Sequence, residues 1–399
     1  MGRRARPTLH LDLDAVTGPF PVRDIDAILR ELGREEKRRR KLPAGMTVCL
    51  IIALGLMVST GAKEVLRRLL DHVREREWWP AEGAIASEGA ITRARKRVGA
   101  EAIRTIFERL AKPIAQRATR GAWFRGRRVV SLDGSTLHVQ DSKANEAAYG
   151  RPGSANATAA WPQIRFVMLL ENGTHVPFAA AMSGWRTSEV ALTGTILDRL
   201  GEGMLCLADR LFYSYDMWEK AVATGADLLW RVQKQIRLPR LKTFSDRSYL
   251  SEVCPPVSGP KHRNAAPIPV RVIEFTAKVR DKVEHYRVIT TLTNPRSASA
   301  LELARLYANR WTIELALREL KTYLRGRRTL LRSKLPELVE QDFYGLLLAY
   351  YGVRAQMHDA ALEDDIAPNE LSFIHALHPV VRRLPEVVSF SPSGLAALP

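Results

Sequence analysis

Cysteine is scarce in this chain. The 399 residues hold three, Cys49, Cys206 and Cys254, odd in number and far apart. That excludes a disulfide framework and a cysteine-built zinc site, and it points to a reducing, intracellular setting. Long apolar runs are missing too. The longest, Met46 to Val58, is 13 residues interrupted by Thr47 and Gly55. A membrane span needs about 20 apolar residues, so this run reads as a core helix. An export signal is lacking, because Pro7 to Val16 carries Asp12 and Asp14 and no apolar segment behind the basic Met1-Gly2-Arg3-Arg4. Arg6 stands where a myristoylation motif has Ser or Thr. The expected location is cytoplasmic, with the nucleoid.

Negative charge is in short supply. Asp plus Glu number 43 against 61 Lys plus Arg, a net charge of +18. Such a surplus argues for a polyanionic partner, since each neutralised phosphate releases condensed counterions. Apolar residues make up 46% of the chain, enough to bury a sizeable core and to exclude wholesale disorder. The length suggests two or three folding units.

Residues 8–120 read as helical throughout. Ala62 to Arg74 repeats apolar positions at helical spacing, and Arg34 to Lys41 is a charged run. Ile91 to Val98 forms a basic helix with Arg93, Arg95, Lys96 and Arg97, and Glu101 to Ala115 is amphipathic. Basic helical faces suit a DNA-binding module, and solvated surface is the alternative reading. From Arg128 the pattern changes. Val129 to Leu132 is a strand ending at a turn, Asp133-Gly134. Ile164 to Leu170 and His175 to Ala181 flank Asn172-Gly173, a hairpin signal. Ser188 to Leu200 reads as a helix capped by Ser188, Met204 to Ala208 as a strand, Tyr215 to Ala223 as a helix and Asp227 to Val232 as a strand. The proline-rich residues 233–297 read as a β-rich insertion. Helix returns from Ala298 through Leu324, and again from Glu337 to His358.

The expected fold class is therefore α/β, a mixed sheet flanked by helices with a β-rich insertion and an N-terminal helical domain. The units are 1–120, a helical domain suited to DNA binding; 121–232, the first part of an α/β core; 233–297, the insertion; 298–335, the core's last helix; and 336–399, a C-terminal helical region.

Acids at the carboxyl ends of strands share one crevice in an open α/β sheet. Asp133 and Asp209 are placed to do so. Glu314 is the natural third: at about 100° per residue, Tyr307, Arg310, Glu314 and Lys321 lie within roughly 60° on one helix. Glu319 lies roughly 140° from Glu314 and should face elsewhere. Three converging carboxylates suit two-metal phosphoryl transfer, with Mg²⁺ as the hard cation. Strand caps or surface acids are the alternative.

These residues carry a resemblance. Tyr307-x2-Arg310-x3-Glu314-x6-Lys321 is similar to the Y-R-E-K signature of DDE transposases of the insertion-element-4 type, with every spacing intact. Asn309 to Glu314, Ser131 to Ser135, and Ala208-Asp209-Arg210 with Phe212 also resemble that family. The resemblance implies an RNase H-like core in which Asp133, Asp209 and Glu314 bind two Mg²⁺ ions, for which Mn²⁺ can substitute. It implies that Tyr307, Arg310 and Lys321 contact phosphates of the transposon end, and Arg210 is placed with them. Tyr307 is alternatively core. Some family members flip a base onto an aromatic of the insertion. Tyr286 lies in the corresponding region, with a packed hairpin tyrosine as the other reading. Trp311 is expected beside the catalytic helix in the core, and His138 is expected to be structural. The implied activity is cut-and-paste transposition: binding of inverted ends, metal-dependent cleavage of double-stranded DNA and strand transfer to target DNA, by a synaptic homodimer. The alternatives are an RNase H-like endonuclease without strand transfer and a non-catalytic repressor derived from a transposase.

Overall fold

The computed structural model describes residues 18–377 apart from 36–41, 76–84, 155–156, 159–160, 257–264, 280–281, 325 and 327–329. Most of the charged run Arg34 to Lys41 and the last 22 residues of the expected C-terminal region lie outside the described residues, as does the side chain of Trp311. The N-terminal part folds into α1 (Val22–Glu31), α2 (Ala44–Leu56), α3 (Ala62–Glu75) and α4 (Glu88–Leu110). The basic and amphipathic segments expected apart are the two halves of α4, kinked at Gly99, whose φ is +78°. Helix does not run on to residue 120. Pro113 disfavours helical geometry at Lys112, and the amides of Ile114 and Ala115 donate instead to the buried Glu171 carboxylate, at 3.0 and 2.8 Å.

The sheet begins with β1 (Arg127–His138), β2 (Gln163–Glu171) and β3 (Pro177–Gly184), an antiparallel meander. Gly173 makes the β2–β3 turn with φ +83°, and a Cβ there would stand 2.8 Å from the Ala122 nitrogen. After α5 (Glu189–Thr193), capped by Ser188, comes β4 (Met204–Ala208), parallel to β1. The helix expected to reach Leu200 stops at Thr193 and resumes only as a 3-10 turn over Leu197–Arg199. Then α6 (Tyr215–Val222) leads to β5 (Asp227–Arg231), parallel to β4. The insertion contributes β6 (Tyr249–Val253), β7 (Ile268–Val279) and β8 (Lys282–Thr290). It is no separate lobe, because β8 pairs antiparallel with β5 and continues the same sheet. The order is β3-β2-β1-β4-β5-β8-β7-β6, the first five having the antiparallel and parallel arrangement of an RNase H-like fold.

Strand alternation sends Val130, Leu132, Ala208 and Trp230 to one face, where they pack on α5 and α6 through Leu192 and Trp218. The other face carries Val129, Leu205, Leu207 and Leu229. It is covered by α7 (Ala300–Ala308), which buries Leu303 and Tyr307. Next come α8 (Trp311–Arg318) and a π-helical turn, Glu319–Leu324. The single helix expected from 298 to 324 is thus broken at Asn309-Arg310. The long α9 (Pro336–Glu363) completes this layer. One apolar cluster joins α1–α4, α9 and the β1–β3 end of the sheet through Val48, Ile106, Phe166 and Phe343, so the expected boundary at 120 divides the chain but not the core. The apolar run is a buried core helix, as its length implies: α2 crosses α9 so closely that a Cβ on Gly55 would lie 2.7 Å from the Gly345 carbonyl oxygen. No described helix is long and apolar enough to cross a membrane.

Candidate active site

Asp133 does not sit after a strand end. β1 runs on through it to His138, held by β2, where Asp133 pairs with Met168. What ends is the parallel neighbour. Leu132 is the register partner of Ala208, the last residue of β4, so Asp133 and Asp209 occupy the next position on adjacent chains. By strand alternation both lie on the face covered by α7 and α8. Burial pushes the Asp133 carboxyl up to about 6, helped by Glu189 and Asp209 and opposed by the Gly134 amide and Arg310. The Asp209 Oδ1 atom is buried without a hydrogen-bond partner, the nearest cation being Arg231 Nη1 at 3.9 Å.

The break at Asn309-Arg310 separates the four residues of the expected stripe. Tyr307 ends up in the core, 2% exposed, its hydroxyl donating to the Ala208 carbonyl at 3.2 Å. Burial holds its phenol well above the usual range. It therefore supports the end of β4 from beneath and has little surface to offer a phosphate, which corrects the contact reading. Arg310 lies between the acids, with Nη1 3.8 Å from Asp133 Oδ2 and Nη2 4.0 Å from Glu314 Oε1. Glu314 is the most open of the three acids, its side chain 45% exposed. No three acids, histidines or cysteines among the described residues stand close enough to share one ion; the three carboxylates surround Arg310 instead. Lys321, on the π turn, donates to Ser135 Oγ at 2.7 Å.

A cavity of about 380 Å³ opens here, lined by Asp209, Arg210, Arg231, Glu284, Tyr286, Tyr307, Arg310 and Glu314. A second, of about 550 Å³, shares Arg210, Arg231 and Tyr286 with it and adds Lys234, His285 and Arg287. Arg231 is the residue the sequence reading missed. It closes β5, 4.2 Å above the Tyr286 ring and 3.6 Å from Glu284. Its signal was available, since the rule that picked Asp209 after β4 applies equally to the last residue of β5. Tyr286 is 7% exposed and stacked on Phe275 with ring centres 5.1 Å apart, a packed hairpin tyrosine. His138 Nδ1 lies 3.1 Å from Gln163 Nε2, within the sheet.

The four basic residues of α4 do not act as a unit. Arg95 is 5% exposed and is spent on the interior: its guanidinium donates to Gln341, Ser333, the Leu338 carbonyl and Asp342 at 2.8–3.3 Å. That removes it as a DNA contact. Arg97 donates to the Leu42 carbonyl at 3.2 Å, and Lys96 lies 3.5 Å from Glu337. Arg93 is exposed.

The family model described as Transposase DDE domain matches residues 124–351, and the one described as Insertion element 4 transposase N-terminal matches residues 10–108. Transposase InsG for insertion sequence element IS4 of Escherichia coli strain K12 is 29% identical over 382 residues, covering 94% of this chain and 83% of that protein. The putative transposase InsZ of the same organism is 28% identical over 202 residues, covering 48% of this chain and 62% of its own length. Among solved structures, a piggyBac transposase synaptic complex with hairpin DNA superposes with a TM-score of 0.50 at 10% identity, covering 94% of this chain and 80% of that one. That likeness concerns the fold. With more than half of its length matched by the DDE-domain model and its helical start by the N-terminal one, the chain belongs to the insertion-element-4 transposases with a DDE domain.

Proposed function

We propose that the protein is the transposase of a bacterial insertion sequence, which binds the element's inverted ends, cleaves the DNA and joins the freed 3′-OH to a target. The observation that supports this best is the side-by-side placement of Asp133 and Asp209 on adjacent parallel chain segments, with Arg310, at the break before α8, lying between Asp133 and Glu314 of α8. Asp133, Asp209 and Glu314 are the proposed catalytic and metal-binding acids. Their donor chemistry suits a hard divalent cation, Mg²⁺ or Mn²⁺, and the unpartnered Asp209 oxygen is a ligand atom in waiting. Two such ions, once bound, would activate the attacking oxygen and stabilise the leaving one.

The chain's own cations do the rest. Arg310 and Arg231 offset the charge of the acids, and with Arg210 and Lys321 they can hold phosphates flanking the scissile bond. In the first step a water oxygen bonds to phosphorus and the 3′ oxygen leaves with a proton. In the second, that 3′-OH attacks a target phosphate and displaces its 3′ oxygen. A synaptic homodimer would hold two ends together. The test uses a supercoiled plasmid carrying the inverted repeats that flank the gene. Cleavage at the repeats with divalent metal, followed by joined products, is expected. End-independent nicking with no joined product would instead make the protein a nuclease.

A further inference from the structure

Glu319 is the charged residue of the catalytic helical segment that points away from the acids. It is 4% exposed, and it meets two other buried groups, Arg354 of α9 at 1% and His175 of the β2–β3 turn at 2%. The Glu319 carboxylate accepts hydrogen bonds from Arg354 Nη2 and, at 2.8 Å, from the Tyr350 hydroxyl. Arg354 Nη2 also lies 2.7 Å from His175 Nδ1, and its Nε donates to the Tyr350 hydroxyl at 3.3 Å. His175 holds a left-handed backbone, φ +62°, to reach this place. One ion pair therefore ties three distant elements together: the helical segment after Glu314, the middle of α9, and a turn of the sheet.

Stability alone does not account for such a pair. Replacing a buried ion pair by apolar groups of similar volume is often neutral or stabilising, and the best-attested use of buried ionic groups is to select one register. Register is at stake here. Glu319 opens the π turn Glu319–Leu324, and a π turn adds a residue to the helix, rotating its C-terminal side by about 100° relative to its N-terminal side. Glu314 lies five residues before Glu319 and Lys321 two after it. Their relative directions depend on where the extra residue is absorbed, and a carboxylate that must meet Arg354 absorbs it at one place.

We propose that Glu319 and Arg354 are positioning residues, whose ion pair pins the π turn and so aims Glu314 from one side of it and Lys321 from the other at the Asp133–Asp209 site. The catalytic half of this inference rests on the proposed function; the register half does not.

The test uses the full chain with Glu319→Gln, Arg354→Met, and the double substitution Glu319→Met with Arg354→Met, which refills the volume without charge. Amide hydrogen exchange is read over residues 311–324 against α2 as an internal control. All three variants are expected to exchange about 10- to 100-fold faster over 311–324 than the wild type, with α2 unchanged, and to slow metal-dependent cleavage by about the same factor without weakening binding to end DNA. A double variant that regains the wild-type melting temperature should keep both defects. Wild-type exchange over 311–324 in the double variant, or loss of protection spread equally over α2, would overturn the proposal. Should the wild type itself fail to cleave end DNA, the functional reading fails, while the exchange measurement still decides the register.

Discussion

Lys321 Nζ donates to Ser135 Oγ across 2.7 Å, linking the helical segment beyond Glu314 to the strand that carries Asp133, two residues past the acid itself. Its ammonium therefore stands at the side of the acidic site, where the proposed function has it hold a phosphate flanking the scissile one. Arg310 stands between the acids and is held charged by Tyr307, Asp133, Asp209 and Glu314 against its burial.

Lys321→Ala removes one point charge, worth about 1.5–3 kcal/mol for a charge-assisted contact, so cleavage should fall about 10- to 100-fold. Arg310→Lys keeps the charge and loses the planar fork, and should also damage activity. Iron-mediated hydroxyl-radical cleavage of each variant, run beside a gel shift with end DNA, separates the roles. Weaker or misaligned end complexes with normal metal-site cleavage are expected; the reverse pattern would assign these cations to the metals.

Asp133→Asn, Asp209→Asn and Glu314→Gln should each abolish cleavage in Mg²⁺ or Mn²⁺ and leave end binding intact, because each removes a proposed carboxylate ligand and none removes a proposed phosphate contact. Single-turnover cleavage of labelled end DNA measures this. A near wild-type rate from Glu314→Gln would remove that residue from the triad.

The raised Asp133 carboxyl makes a stability prediction with a definite sign. Folding lifts this group from 3.8 to about 6, chiefly by burial. The folded state thus binds the proton more tightly than the unfolded chain, and this stabilisation is complete below pH 4 and lost as the pH rises through 6. Asp133→Asn should therefore be more stable than the wild type at pH 8 without divalent metal, by up to about 3 kcal/mol, and no more stable at pH 4. Mg²⁺ should narrow the gap at pH 8 by binding the wild type preferentially. Urea unfolding at both pH values checks it; a less stable Asn variant at pH 8 would contradict the buried-acid account.

Arg93 and Arg95 are neighbours in the same basic run with opposite expected behaviour. Arg95→Ala strands the buried Asp342, to which Arg95 is bonded at 2.8 Å, and should cost about 3–5 kcal/mol of stability. Arg93→Ala should leave stability within about 0.5 kcal/mol and, if α4 meets DNA, lower affinity and flatten its salt dependence. Thermal melts and salt-titrated gel shifts distinguish the two.

Features decided by neighbouring residues were legible in the sequence. β4 lies at the bounds its apolar run implies, the Asn172-Gly173 turn joins β2 and β3, and Ser188 caps α5. Asp133 and Asp209 are legible as acids following strand ends, which holds for Asp209 but not for Asp133, whose strand runs on to His138 because β2 pairs with it that far. Other features depend on partners far along the chain. Arg95 looks like its basic neighbours until α9 brings Asp342 to it across 247 positions, and Glu319 looks like any helical acid until Arg354 and His175 surround it. The break at Asn309-Arg310 is likewise invisible to a helical wheel, which assumes one unbroken axis. Periodicity, caps and turns are local energies written within a few residues. Which charge is buried, and which way a helix turns after a break, is set by the packing of separate elements from 35 to 247 positions apart, where desolvation and pairing are balanced only in the assembled fold.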